Sequence, residues 1–274
     1  MTEPFPAQCS ADESARVQLL QSARAWLAGT LGQQLLQQER LLLAEELPRL
    51  VGNYLVHYGP SPERASDEGG QRFRVHLGAN LPGVDVVCDE QAWPLLDHGA
   101  DAVIVQHGLD FCLSPHGLLR EAARCVRPGG QLWIIGLNPW SAWGLRHWFA
   151  QDAMRDARCI GATRVADWLR LLGFALEKRR FGCYCPPLSG ALWQSKKAAL
   201  ERSLTRLPLF GGGFYLLMAR KIVVGLRPLP KPRRAAASKL VPIALGSAPA
   251  SNTTATEPDF SRGKARGEKF GHSK

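Results

Sequence analysis

The chain has 274 residues, 45% of them hydrophobic, which suits one α/β domain with extensions and is short for two large domains. Seven cysteines, an odd number with no repeated C-x-x-C pairing, exclude a disulfide framework and a structural zinc site and point to a reducing compartment, the cytoplasm. Of the net charge of +10, ten basic and three acidic residues from Leu226 onward supply +7, so the remainder is too weakly basic to single out a nucleic-acid substrate.

The N-terminal text MTEPFPAQCSADESAR lacks the basic-then-apolar layout of a leader. No apolar run approaches the ~20 residues of a membrane span, so no membrane partner is expected. From Ser14 to about Leu50, the residues Val17, Leu20, Trp26, Leu27, Leu31, Leu35, Leu36 and Leu42 recur at three- and four-residue steps. This spacing predicts two helices, broken at Gly29 and Gly32, with Pro48 ending the second. Gln and Glu between the leucines make a polar face, so residues 1–50 are expected to pack across the domain or over its ligand cleft.

Residues 51–225 alternate short apolar strands with helices, the pattern of a mostly parallel sheet covered on both faces. Strands are expected at Asn53–Tyr58, Phe73–Gly78, Val84–Val87, Asp101–Gln106, Gln131–Leu137, Phe174–Phe181 and Phe214–Val223. Helices are expected over Pro115–Val126, with Ser114 as N-cap, and over Thr163–Leu172, closed by Gly173. Residues 226–274 read as a solvated, disordered basic tail, with nonspecific contact to nucleic acid as the other reading.

The most specific text is ADAVIVQHGLDFCLSPHGLLREAARCVRPGGQLWIIGLNPWS, Ala100 to Ser141: strand, loop, helix, the turn Arg127-Pro128-Gly129-Gly130, strand. It resembles the segment of S-adenosylmethionine-dependent methyltransferases in which a strand leads to a helix reading L-x-E-x-x-R-V-L-K-P-G-G. Leu119, Glu121 and Arg124 match that helix, and Arg127 stands where lysine is usual. With WLAGTLGQQLLQQERLLLAEELPRLVGNYLVHYG, GLNPWSAWGLRHWF and FGGGFYLLMARK, the resemblance extends over about Trp26 to Val223, to small bacterial methyltransferases of the type 11 domain family. It implies a Rossmann-like class I fold, a seven-stranded mostly parallel sheet with an antiparallel last strand and helices on both faces.

The same resemblance implies S-adenosylmethionine as cofactor; a small molecule is the first expectation for the methyl acceptor, with protein and RNA as the alternatives. In VDVVCDEQAWPLLDHGAD, Asp89 stands where an acidic residue meets the adenine amine, with Glu90 and Gln91 beside it; the other reading of Asp89 is a turn cap. Gly59 aligns with the first glycine of the family's D-x-G-x-G-x-G loop, and Gln106 at the end of the fourth strand joins the cofactor candidates. Two contacts are missing: Pro60 and Pro62 stiffen the loop NYLVHYGPSPE, and FRVHLGAN has no carboxylate for ribose. A methyltransferase-like binding or regulatory module without turnover is therefore an alternative function. A dehydrogenase would need G-x-G-x-x-G, which is absent.

His107, just past the fourth strand, is the candidate general base. Asn138 and Trp140 follow the fifth strand and are the candidate substrate-binding residues, although Asn138-Pro139-Trp140 lies in the wrong place for the N-P-P-Y signature of DNA adenine methyltransferases. Trp140, Trp143, His147 and Trp148 are expected to form a packed aromatic cluster or a lid. Cys183 and Cys185 are expected to be buried small residues, Gly211–Gly213 a turn, and no metal site is expected.

Overall fold

The computed structural model describes residues 7–61, 73–150, 152–187 and 211–222. Pro62, Val223 and the tail 226–274 lie outside the described residues. Two helices open the chain, α1 (Ala7–Ala28) and α2 (Thr30–Glu46). The break falls at Gly29 alone. Gly32 continues α2, where its missing side chain lets the backbone rest against Leu27, 2.4 Å from where a Cβ would stand.

Seven strands follow: β1 (Tyr54–Tyr58), β2 (Phe73–Gly78), β3 (Val86–Val87), β4 (Ala100–Gln106), β5 (Val126–Leu137), β6 (Phe174–Gly182) and β7 (Phe214–Lys221). They form one sheet in the order β3-β2-β1-β4-β5-β7-β6. The first five are mutually parallel, and β7 inserts between β5 and β6, antiparallel to both. The expected class I topology is thus present. The Arg127–Gly130 turn is a break in pairing within β5: β4 pairs at Val126 and resumes at Gln131, with Gly129 at φ +78 reversing the backbone.

Helices α3 (Pro115–Cys125) and α5 (Ala162–Leu171) carry Leu118, Leu119, Ala122, Val165 and Leu169 against Val56, Val103, Val105 and Ile134 of one sheet face. On the other face, Leu20, Leu35, Leu43 and Leu47 pack against Leu55, Ile104, Trp133, Ile135 and Leu216. The crossovers from β2 to β3 and from β3 to β4 carry no helix, and α1 and α2 cover this second face. Ser114 holds the N-cap position of α3 without a side-chain cap bond. The Glu90 carboxylate does that work, accepting from the N–H groups of Leu113 and Ser114. After β5, Ser141 caps α4 (Ala142–Phe149), its Oγ accepting from Gly144 N.

Candidate functional site

Ligands of open parallel sheets bind outside the carboxyl ends of the strands. Here those ends bring together Gly59 after β1, Gly78 at the end of β2 with Ala79 after it, Cys88 and Asp89 after β3, and His107 after β4. The approach of β1 to β4 is close enough to require glycine. Gly59 sits at φ +157, and a Cβ there would stand 2.0 Å from the Gln106 carbonyl oxygen.

A chain of buried polar side chains runs across this edge. His57 Nε2 donates to Gln106 Oε1 at 3.0 Å, and Gln106 Nε2 donates to Glu39 Oε2 at 2.6 Å. Glu39 Oε1 accepts from His107 Nε2 at 2.7 Å, and His107 Nδ1 donates to Asp110 Oδ2 at 2.9 Å. Asp110 Oδ2 also accepts from Leu137 N, tying the loop after β4 to the end of β5. Glu39 and Asp110 have no exposed surface and His107 only 1%. His107 holds a left-handed backbone, φ +53, unusual outside glycine.

The electrostatics split the histidines. Burial pulls His107 down, but the Glu39 and Asp110 carboxylates outweigh it and push its pKa up to about 10, so it is a cation clasped between two acids. His57 goes the other way: burial, followed by repulsion from His76 with ring centroids 4.8 Å apart, pulls it down to about 3. Burial likewise lowers His76, whose ring nitrogens face the carbonyls of Gly83 and Gly59. His57 Nδ1 and Asp110 Oδ1 are buried with no hydrogen-bond partner among the described residues.

Folding stability should therefore crest near the ordinary histidine pKa of about 6.5. The raised His107 contributes stability that is complete below 6.5 and lost as pH rises toward 10. The depressed His57 contributes stability that is present above 6.5 and lost as pH falls toward 3. Urea midpoints across this range should trace a dome; a steady rise from acid to alkaline pH contradicts the assignment.

Asp89 lies at the mouth with its side chain 57% exposed. One oxygen accepts from Gln91 N, forming the turn, and the other pairs with Arg16 of α1 at 3.0 Å. Arg16 also donates to the Cys88 carbonyl. Glu90 is engaged at the α3 approach as described above, and the Gln91 side chain rests over Gly117 of α3. At the end of β2 the exposed residue is Asn80.

Asn138 is buried in backbone bonding: its Nδ2 donates to the Gly212 carbonyl and its Oδ1 accepts from Trp140 N. Trp140 is exposed. The expected aromatic cluster divides. Trp143 is buried, edge-on to Trp26 and bonded to the Cys185 carbonyl, while Trp148 points to solvent and His147 bonds the Met154 carbonyl. Cys183 and Cys185 are buried, past the end of β6 rather than on it, and the six cysteines with described side chains are free thiols. Among the described residues no group of His, Cys, Asp and Glu could hold a metal ion, and no helix is long and apolar enough to cross a membrane.

Sequence reasoning missed Arg16, Glu39 and Asp110. The signal for Glu39 was present: Leu35, Glu39 and Leu43 are four residues apart, so an acid occupies the apolar stripe of α2. Glu46, on the same stripe, is also buried; burial raises its pKa, but Lys178 of β6 and Arg49 outweigh that and lower it.

Residues 53–134 match a family model described as a methyltransferase domain, type 11. An uncharacterized protein of Escherichia coli K12, YafS, is 36% identical over 138 residues, 48% of this chain and 58% of that one. The malonyl-[acyl-carrier protein] O-methyltransferase of Methylococcus capsulatus is 31% identical over 148 residues, 51% of this chain and 52% of that one. The chain thus spans about half the length of these relatives. Its fold is similar to a chain in the complex of the Haloferax volcanii Trm112 methyltransferase activator with a methyltransferase, at TM-score 0.53 and 16% identity, over 73% of this chain and 97% of that one. Residues 53–134 thus match the type 11 methyltransferase-domain family, and they lie in a sheet with the class I strand order.

Proposed function

We propose that the chain binds S-adenosylmethionine along the carboxyl ends of β1 to β4 and transfers its methyl group to a small-molecule acceptor. The observation that carries this reading is Asp89: just past β3, the edge strand of the sheet, more than half exposed, with lone pairs left beyond those used by Gln91 and Arg16. A carboxylate so placed fits an exocyclic amine, which it accepts from, so the residues present fit the adenine end of the cofactor. Asn80 offers an amide, rather than a carboxylate, to the ribose hydroxyls.

When bound, the cofactor supplies an electrophilic methyl group on a sulfonium. The protein's part is then to hold the acceptor in line and exclude water, which relies on proximity more than on a strong base. His107 has both ring nitrogens bonded to carboxylates, so its assigned part is positioning: it fixes Glu39 and Asp110 at the ends of β4 and β5. The Methylococcus relative is named for O-methylation of malonyl-[acyl-carrier protein], which supports an oxygen as the methylated atom and leaves a carrier-bound acyl group as the other acceptor class.

Calorimetry with S-adenosylmethionine and S-adenosylhomocysteine tests this. Micromolar-range heats are expected, and a folded protein that binds neither sinks the reading. Asp89→Ala should weaken binding about tenfold or more, the worth of a hydrogen bond to a charged group. Unchanged affinity removes Asp89 from the site.

A further inference from the structure

A cavity of about 580 Å³ lies at the carboxyl edge of the sheet, between the loop that enters α3 and the segment that enters α5. One wall runs from Leu113 to His116 and the other from Arg158 to Gly161, with Arg164 and Trp168 reaching over from α5. A space of this size suits a small organic molecule. The second wall is fastened at two points. Arg158 N donates to the Asp110 carbonyl at 2.8 Å, and the Ile160 carbonyl accepts from the Tyr215 hydroxyl at 2.9 Å. The cavity is thus preformed by backbone bonding.

The charge of the walls is one-sided. Arg158 and Arg164 line the cavity, and among the described residues no acid does. The Arg158 guanidinium is held in place by the Cys112 carbonyl, 2.8 Å from Nε, and the Leu113 carbonyl, 3.0 Å from Nη2. Two of its five N–H donors are spent in this way, and the others have no acceptor among the described residues. Arg164 lies over the Trp168 ring, 5.6 Å from its centroid, with neither a hydrogen bond nor an ion pair among the described residues. The His116 ring meets the same indole, centroids 4.1 Å apart. Nearby acids are engaged elsewhere: Glu90 with Leu113 N and Ser114 N, Asp110 with His107 and Leu137 N, Asp167 with Arg170. Gly161 caps α5 without a side-chain bond, so the positive end of that helix adds to the same field. A guanidinium fixed in advance, with donors to spare, is prepared for an oxyanion.

We propose that this cavity binds a small organic oxyanion, its phosphate or carboxylate head held by Arg158 and Arg164 and its apolar body laid along Leu113 and Trp168. Trp140, which the sequence marks as a substrate contact, stands at the rim, its Nε1 3.9 Å from where a Cβ of Gly161 would be. Asp110 joins the cavity to the polar chain described above, since its carbonyl takes the Arg158 N–H and its carboxylate takes His107. The inference stands apart from methyl transfer, because anion binding is read without the cofactor.

Calorimetry on the full chain with phenyl phosphate, benzoate, inorganic phosphate and the neutral benzyl alcohol tests this. Saturable one-to-one binding of phenyl phosphate or benzoate is expected, tighter than that of inorganic phosphate, absent for benzyl alcohol and weaker as salt is raised. The tighter of the two aromatic anions identifies the head group. Arg164→Ala should keep the far-UV spectrum and lose about tenfold or more in anion affinity, the worth of a hydrogen bond to a charged group. Arg158→Lys keeps the charge but not the planar fork, and should lose affinity as well. Should that variant fail to fold, Arg164→Ala decides alone. A chain that binds the anion and no S-adenosylmethionine keeps this site and loses the methyltransferase reading. No saturable binding of either aromatic anion, or equal binding of benzyl alcohol, overturns the proposal. Undiminished affinity in Arg164→Ala does so too, by assigning the anion to basic sequence elsewhere in the chain. Displacement of the anion by S-adenosylmethionine also overturns it, by assigning the cavity to the cofactor.

Discussion

Glu39→Ala is expected to destabilise the fold by about 3–5 kcal/mol, the range found when one partner of a buried ion pair is removed. The loss is larger than that of one hydrogen bond because two other groups are stranded. His107 loses the carboxylate at Nε2, and the Gln106 amide loses its acceptor, both inside the protein. Set against a typical total of about 5–15 kcal/mol, the variant would be marginal. Glu39→Gln keeps the shape and one acceptor, so it should cost less, and its signature lies in pH. With one carboxylate gone, His107 titrates lower, so the alkaline fall in stability still starts near 6.5 but is smaller and ends at a lower pH. Urea unfolding of both variants, read at several pH values, checks this. A cost below about 1 kcal/mol for Glu39→Ala would show that α2 is not fastened to the end of β4 through this side chain.

Gly59→Ala should cost about 3 kcal/mol or more. A methyl group would stand 2.0 Å from a backbone carbonyl that cannot swing away, and φ +157 strains any residue with a Cβ. The effect should reach the site, because moving β1 off β4 displaces Gln106 and with it Glu39. Equilibrium unfolding measures the loss, and a near-neutral substitution would show that the two strand ends do not meet as described. The prediction also assigns Gly59 a part distinct from that of the other glycines of a cofactor loop. Its missing side chain admits the neighbouring strand, so it is required whether or not the following residues are flexible.

Much of the fold was legible in the sequence for reasons that are local. The strand Ala100–Gln106 centres on the apolar run Ala102–Val105, the helix at Pro115 has proline at its first turn, and Gly173 permits the left-handed close after α5. These features act through nearest neighbours, so one chain suffices to read them. Asp89 was legible because its position at a strand end follows from that pattern. Asn138 was legible as a polar residue at a strand end, but its amide is spent on Gly212, 74 residues away, and nothing local announces that.

The sequence by itself determined the order of the strands and the parallel core, since hydrophobic period, caps and turn chemistry are properties of contiguous text. Only the tertiary structure decided what the polar residues do. Glu39 meets His107 across 68 residues and Arg16 meets Asp89 across 73, and no spacing rule reaches that far. Helices from the N-terminus, α1 and α2, cover the second face of the sheet. That packing brings an acid and an arginine to the carboxyl edge. It also decides which of four similar aromatics is core and which is surface: Trp143 falls on the inward face of α4 and Trp148 on the outward one.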